Sequence, residues 1–178
     1  MADADQAAVD KGLATIRRNY SVSVSRGRLT NDAVEQRVGR IAPVVGYGAA
    51  GDVDLVIEAV FENFELKKQV FRELDKVAPR ECILATNTST LDVDEIANET
   101  SRPESVVGLH FYSPANVMRL VEVVRGAKSS ARTISTALAV AKRLGKVPVV
   151  VGNCRGFVGN RMDCAGSLAG RSGEDRDS

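Results

Sequence analysis

The chain carries a single histidine, His110, so any acid–base chemistry that needs an imidazole has one candidate. A carboxylate nearby stands out by its neighbours. In the stretch MRLVEVV, residues 118–124, Glu122 alternates onto the same strand face as Met118, Leu120 and Val124. A charge on an apolar face is costly unless it finds a partner, and His110 lies a short loop away, after the neighbouring strand. A His–Glu pair fixes the imidazole's tautomer and strengthens it as a proton acceptor, which makes a general base near neutral pH. The competing reading is an edge strand that leaves Glu122 in water.

Three polar clusters follow apolar runs. They are Glu62 to Lys67, then Asn87, Thr88 and Ser89, then His110 to Ser113. In open parallel α/β sheets, ligands bind beyond the carboxyl ends of the strands, where such clusters fall. Each also has a plainer reading, since Asn and Ser in loops are often turn formers or helix caps.

The elements that must position these groups are legible as alternating periods. Val9, Leu13, Ile16 and Tyr20 form a helical stripe over 5–20, and Thr30 can cap a second helix through Val34 and Val38. A short strand is predicted at 42–47. The run DLVIEAV, residues 54–60, is broken only by Glu58 and precedes a helix over 62–77 with Leu66, Val70, Leu74 and Val77 inward. Strand 82–85, a short helix near 93–97 and strand 106–111 follow, and this alternation implies a parallel sheet. The further segments differ: strand 117–124, helix 133–144 and a last strand at 147–151. The tail 163–178, poor in apolar residues, is predicted to be disordered.

Composition narrows the function further. At 178 residues with 44% hydrophobic content, the chain is long enough for one domain with a core. Lys and Arg total 24 against 23 Asp and Glu, so no global field favours nucleic acid or an anionic membrane. Cys82, Cys154 and Cys164 have no metal-ligand spacing, and their odd number fits a reducing, cytoplasmic setting. No apolar run approaches the roughly 20 residues needed to span a bilayer.

Four blocks carry a specific resemblance: DLVIEAVFEN (54–63), ATNTSTL (85–91), GLHFYSPANVMRLVEVV (108–124) and LGKVPVVVGNCRGFVGNRM (144–162). In order and spacing they resemble the NAD-binding domain of the 3-hydroxyacyl-CoA dehydrogenase family, most closely the dehydrogenase part of multifunctional fatty-acid β-oxidation enzymes. The resemblance implies oxidation of (S)-3-hydroxyacyl-CoA to 3-oxoacyl-CoA with NAD. It makes His110 the catalytic base and Glu122 its acidic partner. It places Ser89 and Asn160 on the reacting oxygen of the substrate. Asp3, Phe61, Glu62, Asn63, Lys67, Asn87, Ser89 and Ser113 fall at cofactor-binding positions. A homo-oligomer, or assembly with other subunits of a β-oxidation complex, is the implied setting.

Departures from the family pattern bear on activity. Ser113 stands where many members carry Asn, and Arg155 where a Phe or Pro is expected. The strand and glycine-rich GxGxxG turn with which this fold opens are not found ahead of the helix over 5–20, and no helical stripe follows Met162. The expected fold is therefore an incomplete Rossmann-type doubly wound, mostly parallel sheet over 1–162, lacking the first strand and without the helical C-terminal domain. Loss of that central strand would separate 42–47 from 54–60 and leave an open apolar edge. A catalytically inactive remnant, or an interaction module using that edge, is the alternative reading.

Overall fold

The structure, a computed structural model, describes residues 1–162, so the tail predicted to be disordered lies outside the described residues. It divides into two units, one from Met1 to Asp52 and the other from Val53 onward. In the first, strand β1 (Ala2–Asp3) pairs in parallel with β2 (Val44–Val45). Between them run helices α1 (Gln6–Ser25) and α2 (Asn31–Val38). Each helix starts on a side-chain cap: Asp5 accepts from the Ala8 amide and Thr30 from the Ala33 amide. Val9, Val34 and Val38 are buried, as the helical stripes require.

The second unit is a five-stranded sheet in the order β3 (Leu55–Glu58), β4 (Ile83–Thr86), β5 (Val106–Phe111), β6 (Leu120–Arg125), β7 (Val147–Gly152). Helices α3 (Phe64–Val77) and α4 (Val93–Ala97) carry the right-length crossovers that keep β3, β4 and β5 parallel, and α5 (Ala131–Arg143) does so between β6 and β7. On one face, Ala137 and Ala141 of α5 pack on Ile83, Ala85, Val107, Leu109, Val121 and Val123. Small residues on the helix let it approach the sheet closely. The fold class is the doubly wound, mostly parallel one that the family resemblance implies, and β3 is the last strand of its sheet, with Ile57 40% exposed.

One pairing makes the sheet mostly rather than wholly parallel: β5 and β6 are antiparallel. The segment joining Phe111 to Leu120 has no helix, and a parallel crossover takes about a dozen residues or more. The short connection therefore turns the chain back on itself. Helix α1 also runs past the predicted end at Tyr20 to Ser25, stopping before Gly27, whose φ of 65° is a left-handed conformation suited to glycine.

Candidate active site

The antiparallel register sets His110 of β5 directly opposite Glu122 of β6. Both lie on the face turned away from the α5 core, because side chains alternate and their neighbours Leu109 and Val121 occupy the other face. His110 Nδ1 is 2.8 Å from Glu122 Oε2, with His110 5% and Glu122 1% exposed. His110 sits within the strand rather than after it, so its position is set by backbone pairing and not by a loop.

Hydrogen-bond donors surround Glu122. Oε1 accepts from the backbone amides of Val158 (3.0 Å) and Gly159 (2.9 Å), and Oε2 also accepts from the Tyr112 hydroxyl at 3.0 Å. Burial pushes the carboxyl's proton affinity up. The His110 bond, the two amides and Tyr112 outweigh it and hold Glu122 below the ordinary carboxylate value. An ionised Glu122 can only accept, so Nδ1 of His110 carries the proton between them and Nε2 is the basic nitrogen.

Tyr112, Phe157 and the Val158–Gly159 amides are the functional neighbours that sequence reasoning missed. The His110 ring lies 4.5 Å from that of Tyr112 and 5.8 Å from that of Phe157. Phe157 is fully buried at φ 47°, a left-handed backbone conformation that is an outlier for a bulky residue. A Cβ on Gly159 would fall 1.7 Å from the Tyr112 hydroxyl oxygen, so this position has room for hydrogen only. The sequence signal was the GFVGN run itself, whose two glycines bracket the turn.

At the ends of β3 and β4, Glu62 gathers the Thr88–Thr90 loop. Its Oε1 accepts from Thr88 Oγ1 (2.5 Å), from the Ser89 amide (2.8 Å) and hydroxyl (3.2 Å), and from the Thr90 amide (3.2 Å). Desolvation raises the Glu62 carboxyl, but Thr88, Ser89, Lys67 and Thr90 together bring it below the ordinary value. Asn160 donates through Nδ2 to the Ser89 carbonyl at 3.1 Å, which brings the two predicted substrate residues together. Asn87 accepts from the Phe111 amide at 2.9 Å and so fixes the end of β4 against the strand bearing His110.

The remaining predicted residues fall in less uniform places. Phe61 is 86% exposed beyond the end of β3 and presents an apolar ring to solvent. Ser113 is exposed after β5. Asn63 caps α3 through the Leu66 amide, as the plainer reading of loop Asn residues has it. Asp3 is exposed in the first unit and accepts from the adjacent Ala4 amide. Lys67, predicted to line the cofactor, is instead wholly buried, its ammonium 2.7 Å from Glu58 Oε1. Its alkyl stem lies on the inward stripe of α3, which carries the amine into the sheet end.

The family described as "3-hydroxyacyl-CoA dehydrogenase, NAD binding domain" matches residues 1–154. A peroxisomal fatty acid beta-oxidation multifunctional protein of Arabidopsis thaliana is 47% identical over 151 residues, covering 85% of this chain and 21% of its own length. The fatty acid oxidation complex subunit alpha of Psychrobacter cryohalolentis is 43% identical over 162 residues, 91% of this chain and 22% of that protein. The chain thus spans about a fifth of the length of these relatives. Among solved structures, a (S)-3-hydroxybutyryl-CoA dehydrogenase from Ralstonia eutropha superposes with a TM-score of 0.90 at 36% identity, over 92% of this chain and 58% of that one. Among the described residues, no helix is long and apolar enough to cross a membrane.

Proposed function

The chain belongs to the 3-hydroxyacyl-CoA dehydrogenase NAD-binding family, and from that premise we propose that residues 1–162 serve as the catalytic-base side of an enzyme oxidising (S)-3-hydroxyacyl-CoA to 3-oxoacyl-CoA in fatty-acid β-oxidation. The observation that carries this reading is the buried 2.8 Å contact between His110 Nδ1 and Glu122 Oε2. It leaves Nε2 to take the proton from the 3-hydroxyl of the substrate. Glu122 stabilises the imidazolium that forms, and the amides of Val158 and Gly159 keep that carboxylate from turning away. Ser89 and Asn160 are the groups proposed to hold the reacting oxygen.

A bound NAD would supply the acceptor for the hydride on C3, while His110 takes the hydroxyl proton. The residues that fit its nicotinamide end are Ser89 and Asn87 at the end of β4 and the exposed Phe61 beyond β3, a polar pair beside an apolar surface. Glu62 contributes by fixing the loop that bears Ser89. The cytoplasm is the proposed compartment, and other subunits of a β-oxidation assembly are the proposed partners. The likeness to a "fatty acid oxidation complex subunit alpha" supports the latter.

The test is turnover of an acetoacetyl-CoA probe with NADH in catalytically competent protein, compared with His110→Gln. Loss of turnover without loss of NADH binding supports the reading. Unchanged turnover rejects it.

A further inference from the structure

Three charged groups that the catalytic reading does not use directly lie in line behind Ser89. Glu58, the last residue of β3, accepts at Oε1 from Lys67 Nζ (2.7 Å) and the Val60 amide (2.6 Å), and at Oε2 from the hydroxyl of Thr86 (2.7 Å), the last residue of β4. The Lys67 ammonium also donates to the Val60 carbonyl at 3.2 Å and faces Glu62 Oε2 at 3.6 Å. Glu62 in turn holds Thr88, Ser89 and Thr90 through its other oxygen. Lys67 and the Glu58 side chain are 0% and 1% exposed, whereas the Glu62 side chain is 36% exposed.

The Lys67 ammonium donates to Glu58 and to the Val60 carbonyl, and it lies in ion-pair reach of Glu62 at 3.6 Å. We propose that Lys67 and Glu58 are positioning residues: they hold Glu62, and through it the Thr88–Thr90 loop, so that the Ser89 hydroxyl is set toward the site. The role of Ser89 in this statement rests on the function proposed above.

The chemistry requires the cation at this place. Glu58 and Glu62 are two carboxylates converging on one point, and like charges so close repel unless a cation lies between them. Glu58 cannot yield, because it is buried and tied at both oxygens. Glu62, with a third of its surface in water, can. Without the ammonium it relaxes outward and its grip on the Ser89 and Thr90 amides loosens. With the ammonium, Glu62 is held from one side by Lys67 and from the other by the loop donors.

Amide hydrogen exchange in the 178-residue chain tests this, with Leu109 in the buried β5 reporting global opening. In Lys67→Met combined with Glu58→Gln, which removes both buried charges together, exchange at Ser89 and Thr90 should rise about tenfold or more relative to Leu109. Lys67→Gln, which keeps an amide donor within reach of Glu58, gives the same readout if the double variant does not fold. Glu62→Gln, at a half-exposed position, should raise the same two rates. Rates at Ser89 and Thr90 that stay within about twofold of wild type relative to Leu109, in the folded Lys67 variants or in Glu62→Gln, overturn the proposal. A merely structural Lys67 would move all three amides together, which also overturns it. These rates involve no cofactor or substrate, so failure here leaves the assignment of His110 intact.

Discussion

His110 and Glu122 occupy opposed positions on antiparallel strands, with Nδ1 and Oε2 2.8 Å apart. The pair is therefore set by hydrogen-bonded strand backbone rather than by a loop. Strand pairing sets the separation of the two backbones, and the only freedom left is side-chain rotation, which the Val158 and Gly159 amides and Tyr112 restrict on the Glu122 side.

Replacing His110 by Gln should lower turnover by roughly 10²–10⁴-fold, the usual contribution of a positioned general base. Gln keeps a donor for Glu122 Oε2 but offers no basic nitrogen. NADH affinity should stay nearly unchanged, since the substitution lies on the proton-transfer side. Steady-state kinetics together with NADH titration separate the two effects.

Glu122→Gln should destabilise the fold. Four donors point at this carboxylate, two at each oxygen. A Gln presents its NH2 to two of them, at about 1–3 kcal/mol for each buried donor left unsatisfied. The pH dependence follows from the lowered carboxyl. Glu122's contribution is fully present above its unfolded value near 4.5 and is lost as pH falls below that through the folded value. Urea unfolding should therefore show wild type and Glu122→Gln furthest apart near neutral pH and converging in acid. A gap that widened on acidification would contradict the ionised carboxylate.

The pairing of His110 with Glu122 was legible because a lone carboxylate on an apolar strand face demands a partner and the chain has one imidazole. Glu58 sent the same signal from the run DLVIEAV, and the same reasoning would have led to buried Lys67, which helical spacing places on the inward side of α3. The alternation of strands and helices was legible from period alone. The sheet was legible as mostly parallel, but which strand runs the other way was not, because the only sign of the antiparallel turn into β6 is a helix-free connection too short for a crossover. The Val158–Gly159 amides were beyond reach for another reason: they are backbone groups far along the chain from Glu122, and a backbone donor leaves no side-chain pattern in the sequence.

Gly159→Ala should displace Tyr112, because the new methyl would sit 1.7 Å from the phenol oxygen and 2.7 Å from the ring carbon bearing it. Overpacking of this kind costs about 1–3 kcal/mol. Tyr112→Phe removes the bond to Glu122 without the clash and should cost about 0.5–1.5 kcal/mol. The ordering of the two variants, with Gly159→Ala the more destabilised in chemical unfolding, checks that steric exclusion and not hydrogen bonding dominates at this position. Equal midpoints would argue against it.

Phe157→Ala separates packing from backbone strain in the same turn. Deleting a fully buried Phe ring costs about 3–5 kcal/mol. The left-handed φ of 47° persists with Ala, so that substitution recovers none of the strain. Phe157→Gly loses the same ring but relieves a backbone cost of about 1–3 kcal/mol, which opposes the roughly 0.5–1 kcal/mol that Gly usually loses to Ala in regular structure. The Gly variant should therefore be at least as stable as the Ala variant, the reverse of the ordinary order. Urea midpoints of the two proteins decide the matter: an Ala variant more stable than the Gly variant by 1 kcal/mol or about that would mean that the turn adopts its conformation without strain.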